Sequence, residues 1–110
     1  HMKKILFTIV TLFFIAINAW GEDGNVLSEY TVEGILMKFK VISEEEKTCQ
    51  VKSSAIYSDT EGKVTIPSTV KGYTVIVIGD YAFSYCKTIT EVLIPNSVEK
   101  IGLSAFSGCI

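Results

Sequence analysis

The stretch IGDYAFSYC at residues 78–86 is repeated as IGLSAFSGC at residues 101–109, an offset of 23 residues. A second pair of stretches, VTIPSTV at 64–70 and VLIPNSV at 92–98, aligns at an offset of 28. The difference places a five-residue insertion in the first copy, around Lys71 to Val75. The underlying period is therefore 23 residues.

A period in the twenties with apolar residues at fixed places is typical of a solenoid. One repeat cannot bury its apolar face alone, so we expect matching residues to face inward in successive repeats. The first set is Val64, Ile66, Val70, Ile78, Ala82, Phe83 and Cys86, and the second is Val92, Ile94, Val98, Ile101, Ala105, Phe106 and Cys109. The repeated residues are thus interpreted as positions that stack inside a solenoid and not as a catalytic motif.

The glycine and phenylalanine positions of the repeat have specific predicted roles. Gly79 and Gly102 each follow an inward isoleucine, where we expect a tight bend that a side chain would crowd. Phe83 and Phe106 hold the same place in the repeat, so we expect the two rings to stack.

Alternating residues predict two strands before the repeats. GILMKFKVI at 34–42 and KTCQVKS at 47–53 both place apolar and polar side chains on opposite faces. A hairpin turning at 43–46 joins them most simply. The three glutamates of that turn, Glu44 to Glu46, are either a cation site or a solvated turn, and the turn is favoured because charge runs are usually solvated.

The stretch VLIPNSVEKIGLSAFSGC at 92–109 resembles the leucine-rich repeat of the BspA-like family, which runs strand, IP, valine, IG, AF and C. The preceding residues 62–86 resemble the way that family enters its first repeat. The resemblance covers roughly residues 34–110. It implies a mainly β fold, a short leucine-rich-repeat solenoid preceded by a β-hairpin cap, in a bacterial protein that is secreted or on the cell surface.

The N-terminal segment reads as an export signal. Residues 2–21 have two lysines, a short apolar run and small residues at Ala19 and Gly21, which predicts a helical secretory signal peptide. The alternative, a membrane anchor, needs roughly 20 apolar residues, and the apolar run is shorter. We therefore expect an exported protein whose contact with the membrane is limited to this signal segment.

The segments divide the chain into four regions. Residues 1–21 are a cloning remnant, His1, and the signal peptide, and residues 22–33 are a leader. Residues 34–62 are the β-hairpin cap. Residues 63–110 are the repeats, one with the insertion and one incomplete at the C-terminus.

Charge and residue types exclude several functions. Ten lysines and arginines against 12 aspartates and glutamates give a net charge of -2, without a basic run to follow a nucleic-acid backbone. The chain has no histidine beyond His1, and it has no nucleophile-elbow, phosphate-loop or CxxC motif. We therefore expect no enzyme activity, no catalytic residues, no cofactor and no metal site.

The three cysteines allow two interpretations. An oxidising compartment would permit a disulfide between Cys86 and Cys109. Their identical place in the repeat instead favours two thiols packed at the same inward corner. Cys49 is expected to be a buried strand residue.

The resemblance implies a non-enzymatic module for adhesion or protein binding. The partner would be a host extracellular or cell-surface protein. Outward positions on the repeat strands, Lys63, Thr65, Glu91 and Leu93, are the candidate binding face.

The alternative is a structural, self-assembling fragment of a longer repeat protein with no ligand of its own. No polar cap follows the last repeat, so its inward residues would remain uncovered. The candidate self-association residues are Val92, Ile94, Val98, Ile101 and Phe106. We therefore expect a homo-oligomer, or shelter of this surface by the N-terminal apolar helix.

Overall fold

The computed structural model describes residues 25–109, which form β-strands and no helix. The strands are β1 Val26–Tyr30, β2 Leu36–Ser43, β3 Thr48–Val51, β4 Gly62–Thr65, β5 Thr69–Val70, β6 Tyr73–Ile78, β7 Ile89–Leu93 and β8 Lys100–Ile101. This range accordingly holds no helix that is long and apolar enough to cross a membrane. The predicted signal helix at residues 2–21 lies outside the described residues. The mainly β class is confirmed.

The strands form two sheets. The larger one has the order β1-β2-β3-β6-β5, with β8 also paired to β6, and the smaller one consists of β4 and β7. β3, β6 and β8 pair in parallel, as do β4 and β7. Parallel neighbours that lie one repeat apart in the sequence are the arrangement expected of stacked repeats.

The predicted hairpin is present between β2 and β3, which pair antiparallel from Phe39 opposite Val51 to Ser43 opposite Thr48. A side chain of its turn forms a hydrogen bond with β6. The Glu44 carboxylate lies 3.9 Å from the Lys47 ammonium and accepts a 2.7 Å hydrogen bond from the Tyr73 hydroxyl. Glu44 is therefore a structural contact as well as part of an exposed turn.

The registers of the parallel pairs reproduce both sequence offsets. Val64 lies opposite Val92 in β4 and β7, and Ile78 lies opposite Ile101 in β6 and β8. The insertion between these two alignments forms a further hairpin, β5–β6, which turns at Lys71 and Gly72 with positive φ at both residues. The period and the place of the insertion are therefore confirmed.

The ladder of repeats starts earlier than the sequence alignment indicated. Val51 lies opposite Ile78, and the Ala55 amide donates to the Ala82 carbonyl at 3.0 Å, as the Phe83 amide does to the Ala105 carbonyl at 2.8 Å. The residues before the three alanines, Ser54, Tyr81 and Ser104, all have positive φ, between 53° and 59°. Residues 49–56 thus take the same backbone course as the two repeats read from the sequence.

The first predicted set of inward residues forms the centre of the core. The buried members are Val64, Ile66, Val70, Ile78, Ala82, Phe83 and Cys86, together with Met37, Phe39, Cys49 and Val51 of the β2–β3 hairpin. The rings of Phe83 and Phe106 are stacked, with centroids 5.4 Å apart and planes inclined by 11°. The predicted aromatic column is therefore confirmed.

The second predicted set is only partly inward. Ala105 is buried, and Val92, Val98, Phe106 and Cys109 pack against the core while half-buried. Ile94 and Ile101 are 41% and 51% exposed, so their prediction as buried residues was wrong. They occupy the register positions of Ile66 and Ile78, but within residues 25–109 a repeat covers them from one side only.

A side chain at Gly79 or Gly102 would be crowded, as expected. Gly79 also begins a tight turn, since its carbonyl accepts a 3.3 Å hydrogen bond from the Ala82 amide. Neither residue has a positive φ. A Cβ on Gly79 would lie 2.5 Å from the Val51 carbonyl oxygen, and one on Gly102 would lie 2.7 Å from the Asp80 amide nitrogen. Successive repeats approach so closely here that only glycine fits.

Candidate protein-binding surface

Four predicted binding residues lie together on β4 and β7. Lys63 is directly opposite Glu91, and Thr65 is directly opposite Leu93. Because side chains alternate along a strand, Val64 and its partner on β7 face the core while these four face away from it. We refer to Lys63, Thr65, Glu91 and Leu93 as the β4–β7 face.

The β4–β7 face combines two opposite charges with an apolar edge. Lys63 and Glu91 are both exposed, and the ion pair found within residues 25–109 is the one between Lys47 and Glu44. Leu93 is 39% exposed beside them. Lys63 and Glu91 therefore keep their charges available for another molecule.

Glu33 lies beside the β4–β7 face and contacts Thr65. The Thr65 amide donates a 3.0 Å hydrogen bond to Glu33 Oε1, and the Thr65 hydroxyl donates to Glu33 Oε2. These bonds, the one from the hydroxyl foremost, hold the pKa of Glu33 below its ordinary value. The carboxylate thus satisfies a backbone donor of β4 that a further strand would otherwise take.

A local turn holds Glu33 in position. The Thr31 hydroxyl accepts hydrogen bonds of 3.2 Å from the amides of Glu33 and Ile35, and Gly34 has a φ of 87°. Sequence reasoning missed Glu33 because it lies in the segment taken as a leader. A threonine two residues before Glu33, followed by glycine, is the signal of such a turn.

A cleft of about 360 Å³ opens beside β7 at the last described repeat. Val92, Ile94 and Phe106 of the predicted self-association set line it, together with Glu91 and Cys109. The other two members of that set, Val98 and Ile101, lie outside the lining. The cleft therefore joins part of the predicted association surface to the edge of the β4–β7 face.

All three cysteines are free thiols in the structure. Burial raises the pKa of Cys49 to about 11, and burial, followed by the nearby Cys109, raises the pKa of Cys86. The Cys109 thiol donates to the Phe83 carbonyl oxygen at 2.9 Å. The thiols thus act as packing groups at the corners of the repeats.

Comparison with protein families matches residues 49–110, more than half of the chain, to the BspA type leucine rich repeat region (6 copies). The match begins at Cys49, in β3, where parallel pairing with β6 also begins. Comparisons with curated proteins and with solved structures find no match.

Proposed function

The chain belongs to the BspA-type leucine-rich repeat family, and from this premise we propose that it is a secreted or cell-surface adhesion module that binds a protein partner. Repeats of this family are generally protein-binding and related to surfaces or adhesion, and they are typically non-enzymatic. The partner class we propose is a host extracellular or cell-surface protein.

The observation that carries the proposal is the β4–β7 face. It presents a cation, an anion and an apolar side chain on two paired strands, and its two charges can meet complementary charges on a partner protein. Repeat scaffolds place their recognition residues at such outward positions, since the inward positions are committed to stacking. In this proposal the strands extend as a solenoid, and the face lies on its outer surface.

The test is binding of the full chain to a panel of immobilised extracellular-matrix proteins. We expect a bound member of the panel to be lost when Lys63→Glu and Leu93→Asp are combined, because the pair reverses the charge and removes the apolar contact. Lys87→Glu, an exposed substitution off this face, is the matched control. Binding that survives the double substitution, or that falls equally in the control, contradicts the proposed face.

A second role, self-association of the 110-residue chain, is favoured by the exposed isoleucines of the last repeat. Ile94 and Ile101 present apolar surface in the register that a further repeat would cover. A second copy can cover the same surface, which includes Val92, Val98 and Phe106. Light scattering should then detect dimers that Ile101→Lys reduces to monomers, and a monodisperse unsubstituted monomer contradicts this role.

A further inference from the structure

Lysines collect on the outer face of the six-stranded sheet, away from the β4–β7 face. Lys40, Gln50, Val77 and Lys100 lie opposite one another in a row across β2, β3, β6 and β8. Residues directly opposite share a side of the sheet, as do residues two apart on a strand. Lys38 and Lys52 therefore lie on this side too, next to each other, since the Lys52 amide donates to the Lys38 carbonyl at 3.1 Å.

None of these lysines forms an ion pair with a carboxylate within the described residues. Within residues 25–109 the recorded ion pair is at the β2–β3 turn, between Lys47 and Glu44. The whole chain carries a net charge of -2, so a basic face is not a consequence of composition. Positive charge is concentrated on one surface, which favours an anionic ligand there.

The face contains a polar cleft of about 420 Å³, lined by Lys40, Gln50, Lys52, Ser53, Gly79, Asp80 and Tyr81. The Lys52 ammonium lies 3.4 Å from the Ser53 carbonyl oxygen, within this lining. Asp80 Oδ1 accepts the Leu103 amide at 2.7 Å, which leaves Oδ2 as an acceptor for a ligand hydroxyl. Tyr81 is 47% exposed and adds an aromatic wall.

A second, smaller cleft of about 110 Å³ adjoins the first at Lys52. Lys38, Ser54 and Tyr57 line it, and Tyr57 is 72% exposed. Because Lys52 lines both clefts, a ligand can extend from Tyr81 past Lys52 to Tyr57. The arrangement suits an extended chain molecule better than a single small ion.

We propose that this face, the Lys40–Lys52 clefts, binds an anionic oligosaccharide, a sugar chain that carries carboxylate or sulfate groups. The ammonium groups meet the acid groups, the amide of Gln50 and the carboxylate of Asp80 meet hydroxyls, and the tyrosine rings cover the apolar faces of the sugars. A bare polyphosphate has no hydroxyl for Asp80 and is repelled by it. The carboxylate in a basic cleft therefore selects for a hydroxyl-bearing anion.

Calorimetry of the full chain with heparin-derived and hyaluronan-derived oligosaccharides tests the proposal. We expect Lys52→Gln and Lys40→Gln each to weaken binding by about tenfold, the size of one charge-assisted hydrogen bond. Lys87→Gln removes the same charge outside both clefts and should change binding by less than about twofold. Raising the salt concentration should weaken binding, because exposed charges are screened.

The comparison probes are a neutral maltooligosaccharide and inorganic polyphosphate of matched charge. Asp80→Asn should improve polyphosphate binding and weaken sugar binding, since it removes the repulsion and the stronger acceptor. Binding of the hyaluronan fragment supports a carboxylate ligand, and binding of the heparin fragment alone supports a sulfated one. Absence of binding, equal affinity for either comparison probe, or an equal loss in Lys87→Gln overturns the proposal.

Discussion

At the scale of single residues, the side chain of Glu33 accepts a hydrogen bond from a backbone amide at the free edge of β4. Its carboxylate binds both the amide and the hydroxyl of Thr65, 32 residues away in the sequence. Removing the Thr65 hydroxyl leaves the bond from the Thr65 amide, so the carboxylate loses the largest cause of its lowered pKa.

The first prediction concerns the titration of Glu33. Its pKa is lowered in the folded state, so its stabilising contribution is present above the ordinary glutamate pKa and is lost as pH falls through the lowered value. Thr65→Val should move the Glu33 pKa upward towards the ordinary value, as measured by NMR titration of the side chain. Thr69→Val, on the other sheet, is the control and should leave that pKa unchanged.

The second prediction concerns thiol reactivity. Cys49 is fully buried with a pKa raised to about 11, and the thiolate is the reactive form. Iodoacetamide at neutral pH should therefore modify Cys49 only after unfolding in urea, with mass spectrometry as the measurement. The half-buried Cys109 should react earlier in the folded chain. Native labelling of Cys49 at the unfolded rate would show that β3 is not in the core.

At the scale of elements, the repeat is held by an aromatic column and by close backbone contact. Ile56, Phe83 and Phe106 each follow an alanine. Inter-repeat hydrogen bonds run from the Ala55 amide to the Ala82 carbonyl and from the Phe83 amide to the Ala105 carbonyl. Phe83 is completely buried, whereas Phe106 is half-buried and stacks on Phe83. The ring of Phe83 is therefore more buried than the ring of Phe106.

The third prediction follows from this difference. Phe83→Ala should lower the free energy of unfolding by about 3–5 kcal/mol, the range for a buried aromatic ring. Phe106→Ala should cost about half as much, because less apolar surface leaves water when this ring folds. Urea unfolding followed by circular dichroism measures both. Equal losses would mean that Phe106 is covered by something beyond the described residues.

Much of the strand pairing and ring stacking could be predicted from the sequence, because the residues responsible are repeated at a fixed spacing. The pairs Ile78 with Ile101 and Phe83 with Phe106 gave the period and the stacking directly. The earlier turn at Ala55 and Ile56 was missed because it lacks the glycine, phenylalanine and cysteine that the two later copies share. The two hydrogen bonds from Thr65 to Glu33 could not be predicted, since no local pattern specifies a contact between residues 32 positions apart in the sequence.

At the scale of the whole molecule, the two sheets share one core. Met37 and Phe39 of the β2–β3 hairpin belong to the same buried cluster as Val64 and Phe83 of the repeats. The middle of the stack therefore has neighbours on both sides, while β7 and β8 have a described neighbour on one side. Local stability should fall from the middle of the stack towards the last repeat.

The fourth prediction is a gradient of amide hydrogen exchange along the stack. The amides of β3 and β6 should exchange most slowly, and those of β8 most rapidly among the paired strands, because β8 is short and exposed. Exchange measured by NMR on the chain with residues 2–21 deleted removes any contribution of the predicted signal helix. Uniform protection across the three strands would indicate that the last repeat is covered by another chain.

The β5–β6 hairpin has a consequence for how the chain avoids misfolding. Repeats of similar sequence can pair with the wrong neighbouring strand, displaced by one full period. Such a pairing would bury nearly as much apolar surface as the correct one. Only the first of the two aligned copies carries Tyr73, whose hydroxyl binds Glu44 and whose ring lies 5.0 Å from the Lys47 ammonium. A slipped pairing would place the last repeat, which lacks this tyrosine, against the β2–β3 turn. The five additional residues therefore favour pairing of the first copy, rather than the last repeat, with the β2–β3 hairpin.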